Sequence, residues 1–276
     1  AISMSVGWGI LCGFAMWFLA DELASIGELS PMASEFCIQY VRVFAISMPF
    51  FGVVMVGAMC MHGAGETVRP FLISVGINIV NVSLSWMLCG ADIDFGDSVL
   101  VNPFSFDLDV LGIALGSVFG IFVGAVLTLL ILFKGIRDLT LKPTSLLLSP
   151  PMAWRVVKIG IPNFLEGMAM WTANIFVLGF IGTIAGKAVQ SAAMASEGEG
   201  STDLAVAGEG LQGAHIIAVQ WESFSFLPGF AIGIAAGALA GQYLGAGNLA
   251  MAKKAVWVCV VIGMALMGLI GIGFIL

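Results

Sequence analysis

The chain has 276 residues, of which 60% are hydrophobic and only 10% charged, with a formal net charge of −7 and a mean hydropathy of +1.08. A soluble domain of this size keeps much of its surface in water and cannot bury so many apolar residues. That excludes a soluble enzyme and leaves an all-α fold, a polytopic transmembrane helical bundle. The 36 glycines agree, since glycine lets membrane helices approach closely.

A bilayer core needs about 20 apolar residues per helix, and seven stretches qualify in turn. The first, 1–20, is followed by an acidic connection, 21–37, with Asp21, Glu22, Glu28 and Glu35. The second, 38–62, has Pro49 in mid-span, where it should kink the helix. A short loop, 63–69, leads to the third span, 70–91. Here Ser74, Asn78, Asn81 and Ser85 share one helical face, either as interhelical glue or as polar lining. Another acidic connection, 92–110, precedes the fourth span, 111–134. Residues 135–156, with several prolines and basic ends, suit a cytoplasmic linker between two bundles.

The second half continues with a fifth span, 157–181, then an acidic, Gly-rich stretch, 182–212, expected as a loop outside the membrane. The sixth span, 213–240, contains Pro228, where a second kink is expected. A basic loop, 241–254, leads to the seventh span, 254–276. Domains accordingly divide as 1–134, the linker 135–156 and 157–276. Eight of the ten basic residues fall in 63–69, 134–158 and 241–254, whereas the alternate connections are acidic. By the positive-inside rule the basic side is cytoplasmic. The five cysteines lack metal or redox spacing and read as small buried apolar residues. No Walker A motif, nucleophile elbow or metal-ligand cluster occurs, so no enzyme, metal or organic cofactor is expected.

Polar groups at membrane depth point to function, because lipid penalises them unless they are paired or face water. Glu166 lies about ten residues inside the fifth span, roughly 15 Å deep. Glu222 lies about as far inside the sixth. Asn163, Glu166, Met170 and Asn174 follow one face; Glu222, Ser225, Gly229 and Gly233 follow another. A carboxyl in a low-dielectric site favours its neutral form, and a competing cation favours the ionised one. Such a group can exchange H⁺ or Na⁺ for a cationic solute. Trp171, Trp221, Phe224, Phe226, Met168 and Met170 could line a cavity for a lipophilic cation, although each taken singly suits packing or lipid contact.

Three stretches together resemble the multidrug and toxic compound extrusion (MATE) family. The segment "MPFFGVVMVGAMCMHGAGETVRPFLISVGINIVN" (48–81) is similar to a Pro-bearing helix, a Gly-rich loop through Gly63, Gly65, Arg69 and Pro70, and a helix with two asparagines. "KIGIPNFLEGMAMW" (158–171) resembles the start of the family's second bundle. "AHIIAVQWESFSFLPGFAIGIAAGALAGQYLGAGNLAMAKKA" (214–255) resembles a helix and the loop holding Gly241, Gln242 and Gly245. The resemblance implies two six-helix bundles, of which this chain, lacking an initiator Met, would hold the third to ninth helices. Two spans would then precede Ala1 and three would follow Leu276. It also implies export of organic, often cationic, compounds against inward H⁺ or Na⁺ at the bacterial inner membrane, in contact with lipid and without nucleic acid. In family members with a cation-binding glutamate on the seventh helix, that acid lies about one turn deeper than Glu166.

On this reading Glu166 and Glu222 are the coupling carboxylates. Asn163, Met170, Trp171, Asn174, Asn78, Asn81 and Ser225 line the substrate cavity. A related lipid-linked saccharide flippase should carry Arg and Lys in its cavity, whereas Arg42 is the basic residue near a span here. A receptor should start outside, whereas the charges start this chain inside. A purely structural subunit would need neither glutamate.

Overall fold

In lipid every backbone polar group must be bonded inside the protein, and the computed structural model of the chain meets this with helices. It describes residues 1–26, 31–94, 99–104, 106–136, 140–142, 149–195 and 200–275. The helices are α1 (Ile2–Phe18), α2 (Ala20–Ile26), α3 (Pro31–Ala45), α4 (Met48–Gly63), α5 (Val68–Cys89), α6 (Asp109–Lys134), α7 (Pro150–Ala195), α8 (Gly200–Gly245) and α9 (Leu249–Ile275). A two-stranded antiparallel hairpin, β1 (Ile93–Asp94) and β2 (Val99–Leu100), lies between α5 and α6. Five helices are long and apolar enough to cross a bilayer, and a sixth if the bent pair α3–α4 is one span. The 17-residue α1 is at the short end of the spanning range. Large apolar side chains stand exposed along every one of these helices, as lipid-facing surfaces require. The chain is a multi-pass membrane protein.

The described residues form two compact units. One comprises Ala1–Ser25 with Leu29–Ile159, the other centres on Gly160–Leu276. In the first, α6 packs on α3, α4 and α5, and α1 packs on α3 and α4. Its core joins Ile2, Val53, Val54, Met61, Ile73, Ala125 and Leu132. Phe50 meets Phe122 edge-on at 5.1 Å between ring centroids.

Four glycines of α6, Gly112, Gly116, Gly120 and Gly124, recur every fourth residue and set its contact with α5. A Cβ added at Gly112 would lie 2.6 Å from the Leu88 carbonyl carbon, and one at Gly116 2.6 Å from the Ser85 nitrogen. At Gly120 the Ile77 carbonyl oxygen would be 2.9 Å away. Bare glycine is therefore what lets the two backbones touch. The closeness brings polar groups into register. Asn81 Nδ2 donates to Ser117 Oγ at 2.9 Å, Ser117 Oγ to the Ile113 carbonyl at 3.1 Å, and Ser85 Oγ to the same carbonyl at 3.3 Å. Tyr40 on α3 reaches the Ser117 hydroxyl at 3.5 Å.

The structure revises three expectations. Pro49 does not kink a continuous helix. The span breaks one step earlier, by 59° between α3 and α4, and Pro49 sits in the first turn of α4, where its missing N–H is an orphan anyway. Buried Ser47 Oγ donates to the Phe44 carbonyl at 2.6 Å at this break. Pro162 and Pro228, in contrast, lie inside α7 and α8, which run on through them. Pro150 and Pro151, within the stretch read as a linker, open α7, as proline does at a first turn. The stretch 182–212 is helical up to Ala195 and again from Gly200, consistent with the strong helix formers in "AGKAVQSAAMA"; Glu197 and Glu199 lie outside the described residues. The five cysteines are half-buried and free rather than fully buried.

Gly116 and Gly76 make a clean comparison, since an added Cβ at Gly76 meets nothing within 4 Å. Gly76→Ala should be neutral or stabilising, because alanine is the better helix former by about 1 kcal/mol. Gly116→Ala should destabilise by about 1–3 kcal/mol through overpacking. Thermal unfolding of the two variants in detergent reads the difference, and equal melting temperatures would contradict the close approach.

Candidate functional site

The site is built in the second unit. Along α7 the residues Asn163, Glu166, Gly167 and Met170 follow one face by the 3.6-residue period. They border a cleft of about 920 Å³ whose other walls are Phe226, Gly229, Phe230, Gly233 and Ile234 of α8, with Met267 of α9. Small residues open this space: Gly167 on one side, Gly229 and Gly233 on the other. Gly229 also lets Met267 fold in, since a Cβ there would be 2.6 Å from the Met267 sulfur. Phe226 and Phe230 stack edge-on, with centroids 5.8 Å apart. Glu166 lies near the centre of the apolar stretch Pro150–Ile184. The cleft therefore combines a carboxylate, an amide, two thioethers and two aromatic faces at mid-depth.

Other expected lining residues stand elsewhere. Glu222 precedes the part of α8 that walls the cleft, nearer the N-terminal end of Gly213–Gly245. Its carbonyl accepts the Ser225 hydroxyl at 2.6 Å. The two carboxylates thus do not share this cleft. Trp171 is 66% exposed and is not among the residues that line the cleft. Trp221 and Phe224 pair with each other at 5.8 Å. Asn174 Nδ2 donates to the Met170 carbonyl at 3.2 Å on its own helix. Asn78 does the same to the Ser74 carbonyl at 2.8 Å, while Asn81 is tied to Ser117. Sequence reasoning missed Phe230, Ile234 and Met267. The first two continue the Phe226 face at i+4 and i+8, a signal open to reading; Met267, on a third helix, gave none.

The loops after α4 and α8 use one turn twice. After α4, the amides of Ala64, Gly65 and Glu66 donate to the carbonyls of Cys60, His62 and Met61. After α8, the amides of Ala246, Gly247 and Asn248 donate to those of Gln242, Leu244 and Tyr243. Each turn passes through a left-handed glycine, Gly65 at φ 75° and Gly247 at φ 73°, as helix C-termini favour. Each then caps the next helix. Glu66 Oε1 accepts the Val68 amide at 3.1 Å, and Asn248 Oδ1 the Met251 amide at 3.1 Å. Pro70 is buried in the first turn of α5 beside Arg69. In these loops Gly63 and Gly245 end their helices, and Gly241 and Gln242 belong to the last turns of α8.

The family model described as MatE matches residues 1–87 and 206–276. A curated relative, described as "Probable multidrug resistance protein NorM" from Thermotoga maritima, is 25% identical over 240 residues, which is 83% of this chain and 42% of that protein. The chain thus spans less than half the length of that relative. No solved structure matches it.

The cleft geometry predicts a labelling pattern. With the five native cysteines replaced, a cysteine at Phe230 should react with a small water-soluble thiol reagent, and one at Trp171 should not. Equal reactivity of the two in membranes would contradict a cleft on this face of α7.

Proposed function

We propose, for a chain that belongs to the MatE family, that it is part of a secondary transporter exporting organic cations by antiport against H⁺ or Na⁺. Members of this family are transporters, not enzymes. The observation that carries the proposal is the mid-depth cleft where Glu166 stands with Asn163 among Met170, Met267, Phe226 and Phe230.

The chemistry follows from that set. A single carboxylate in a cleft with mainly apolar walls can balance one positive charge at a time. A proton or Na⁺ at Glu166 and an organic cation against the same group are therefore competitors. Binding one displaces the other, which is the exchange an antiporter needs once the cleft opens alternately to the two sides. The aromatic faces attract a delocalised cation, and thioethers adapt to solutes of varied shape. Asn163 offers hydrogen bonds without adding charge. Among the described residues no basic side chain lines the cleft, which disfavours an anionic cargo such as a lipid-linked saccharide pyrophosphate. Glu222, outside the cleft, takes a supporting role at the outer side. The location that fits this role is the bacterial inner membrane, and the relative's printed name, multidrug resistance, is consistent with it.

The test is accumulation of a fluorescent lipophilic cation in an efflux-deficient bacterium expressing the whole protein. Glu166→Gln keeps the shape and removes the charge. It should raise accumulation to the level of cells without the transporter, whereas Glu222→Gln should leave most of the efflux intact. Unchanged efflux by Glu166→Gln at equal expression would overturn the assignment.

A further inference from the structure

We propose that the basic-loop ends of α8 and α9 form a binding site for an anionic phospholipid of the cytoplasmic leaflet. A second groove, of about 330 Å³, runs between the end of α8 and the start of α9. Ala240 and Leu244 form one wall; Leu249, Val256 and Trp257 form the other, with Lys253 at the rim. The turn through Gly247 and the Asn248 cap hold the two walls in place.

The order of chemistry along α9 matches the order of chemistry in a lipid. Lys253 and Trp257 are one turn apart on the same face. The charge pattern starts α9 at the cytoplasm, so Trp257 lies about 6 Å deeper than Lys253. That places an ammonium at the level of the phosphates and an indole at the glycerol and ester level, where tryptophan partitions. Leu244, Val256 and Ala240 then offer an apolar slot for the first part of an acyl chain. Lys254, the next residue, supplies a second cation. Both lysines are exposed, and among the described residues neither is in an ion pair; the described pair is Arg42–Asp21 in the other unit. A soluble anion would leave the apolar walls unused. A zwitterionic lipid would bring its own cation against Lys253. A headgroup with net negative charge uses both features.

Native mass spectrometry of the full chain, extracted from membranes holding phosphatidylglycerol and phosphatidylcholine, tests this. The wild type should retain phosphatidylglycerol preferentially. Each lysine removed should weaken that retention about fivefold, so Lys253→Gln with Lys254→Gln should abolish the preference while phosphatidylcholine retention stays the same. Undiminished phosphatidylglycerol retention in a folded double variant would overturn the proposal, as would equal loss of both lipids. Displacement of the lipid by millimolar inorganic phosphate would assign the lysines to a soluble anion and overturn it too. Should the double variant fail to fold, wild-type protein at rising salt decides: the preference must fall with ionic strength, and a salt-independent preference counts against the site.

Discussion

Backbone contact between α5 and α6, made possible by the glycines at 112, 116 and 120, is the constraint on which the first unit depends. In lipid there is little hydrophobic force to press helices together, because the acyl chains are as apolar as leucine. Association must come from close packing and from polar groups brought within reach. Both occur along the same glycine face. With the backbones touching, Asn81, Ser85 and Ser117 complete a polar seam, and Tyr40 carries it on to α3. The asparagine that would line a cavity in a looser bundle is committed to holding this one.

The same physics acts with an opposite result in the second unit. There Gly167 and Gly233 border open volume, and Gly229 takes the Met267 side chain rather than a neighbouring backbone. The cleft this leaves holds a single carboxylate, ringed by side chains that favour a cation without confining its shape. A tight seam on one hand and an open glycine-lined cleft on the other are two uses of one residue, decided by what the neighbouring helix presents. The turns at Gly65 and Gly247 provide a third, since each needs a positive φ to reverse the chain between helices.

Much of this was legible in the primary sequence. The membrane class followed from composition and the helical spans from apolar runs. Each rests on transfer free energies that are summed over residues and do not depend on a partner. Glu166, Asn163 and Met170 on one face followed from helical period alone. The break before Pro49 was misplaced because proline reads as a kink wherever it falls mid-pattern, while the turn it prefers is the first of a helix. The stretch 182–212 was misjudged because its acidic residues and glycines outweighed its alanine-rich helix propensity.

What the sequence by itself determined is therefore local and periodic: membrane residence, helical faces, charge alternation and the place of a glutamate along its apolar stretch. Only the tertiary structure decided which faces meet. It separated Glu222 from the Glu166 cleft, turned Asn81 inward to Ser117, brought Met267 across from a third helix, and opened a groove beside Lys253 and Trp257. The reason is that one helix sets only its own stripe, whereas a site or a seam is made where stripes from different helices face each other. That pairing depends on interhelical distance, fixed here residue by residue by where a side chain is absent.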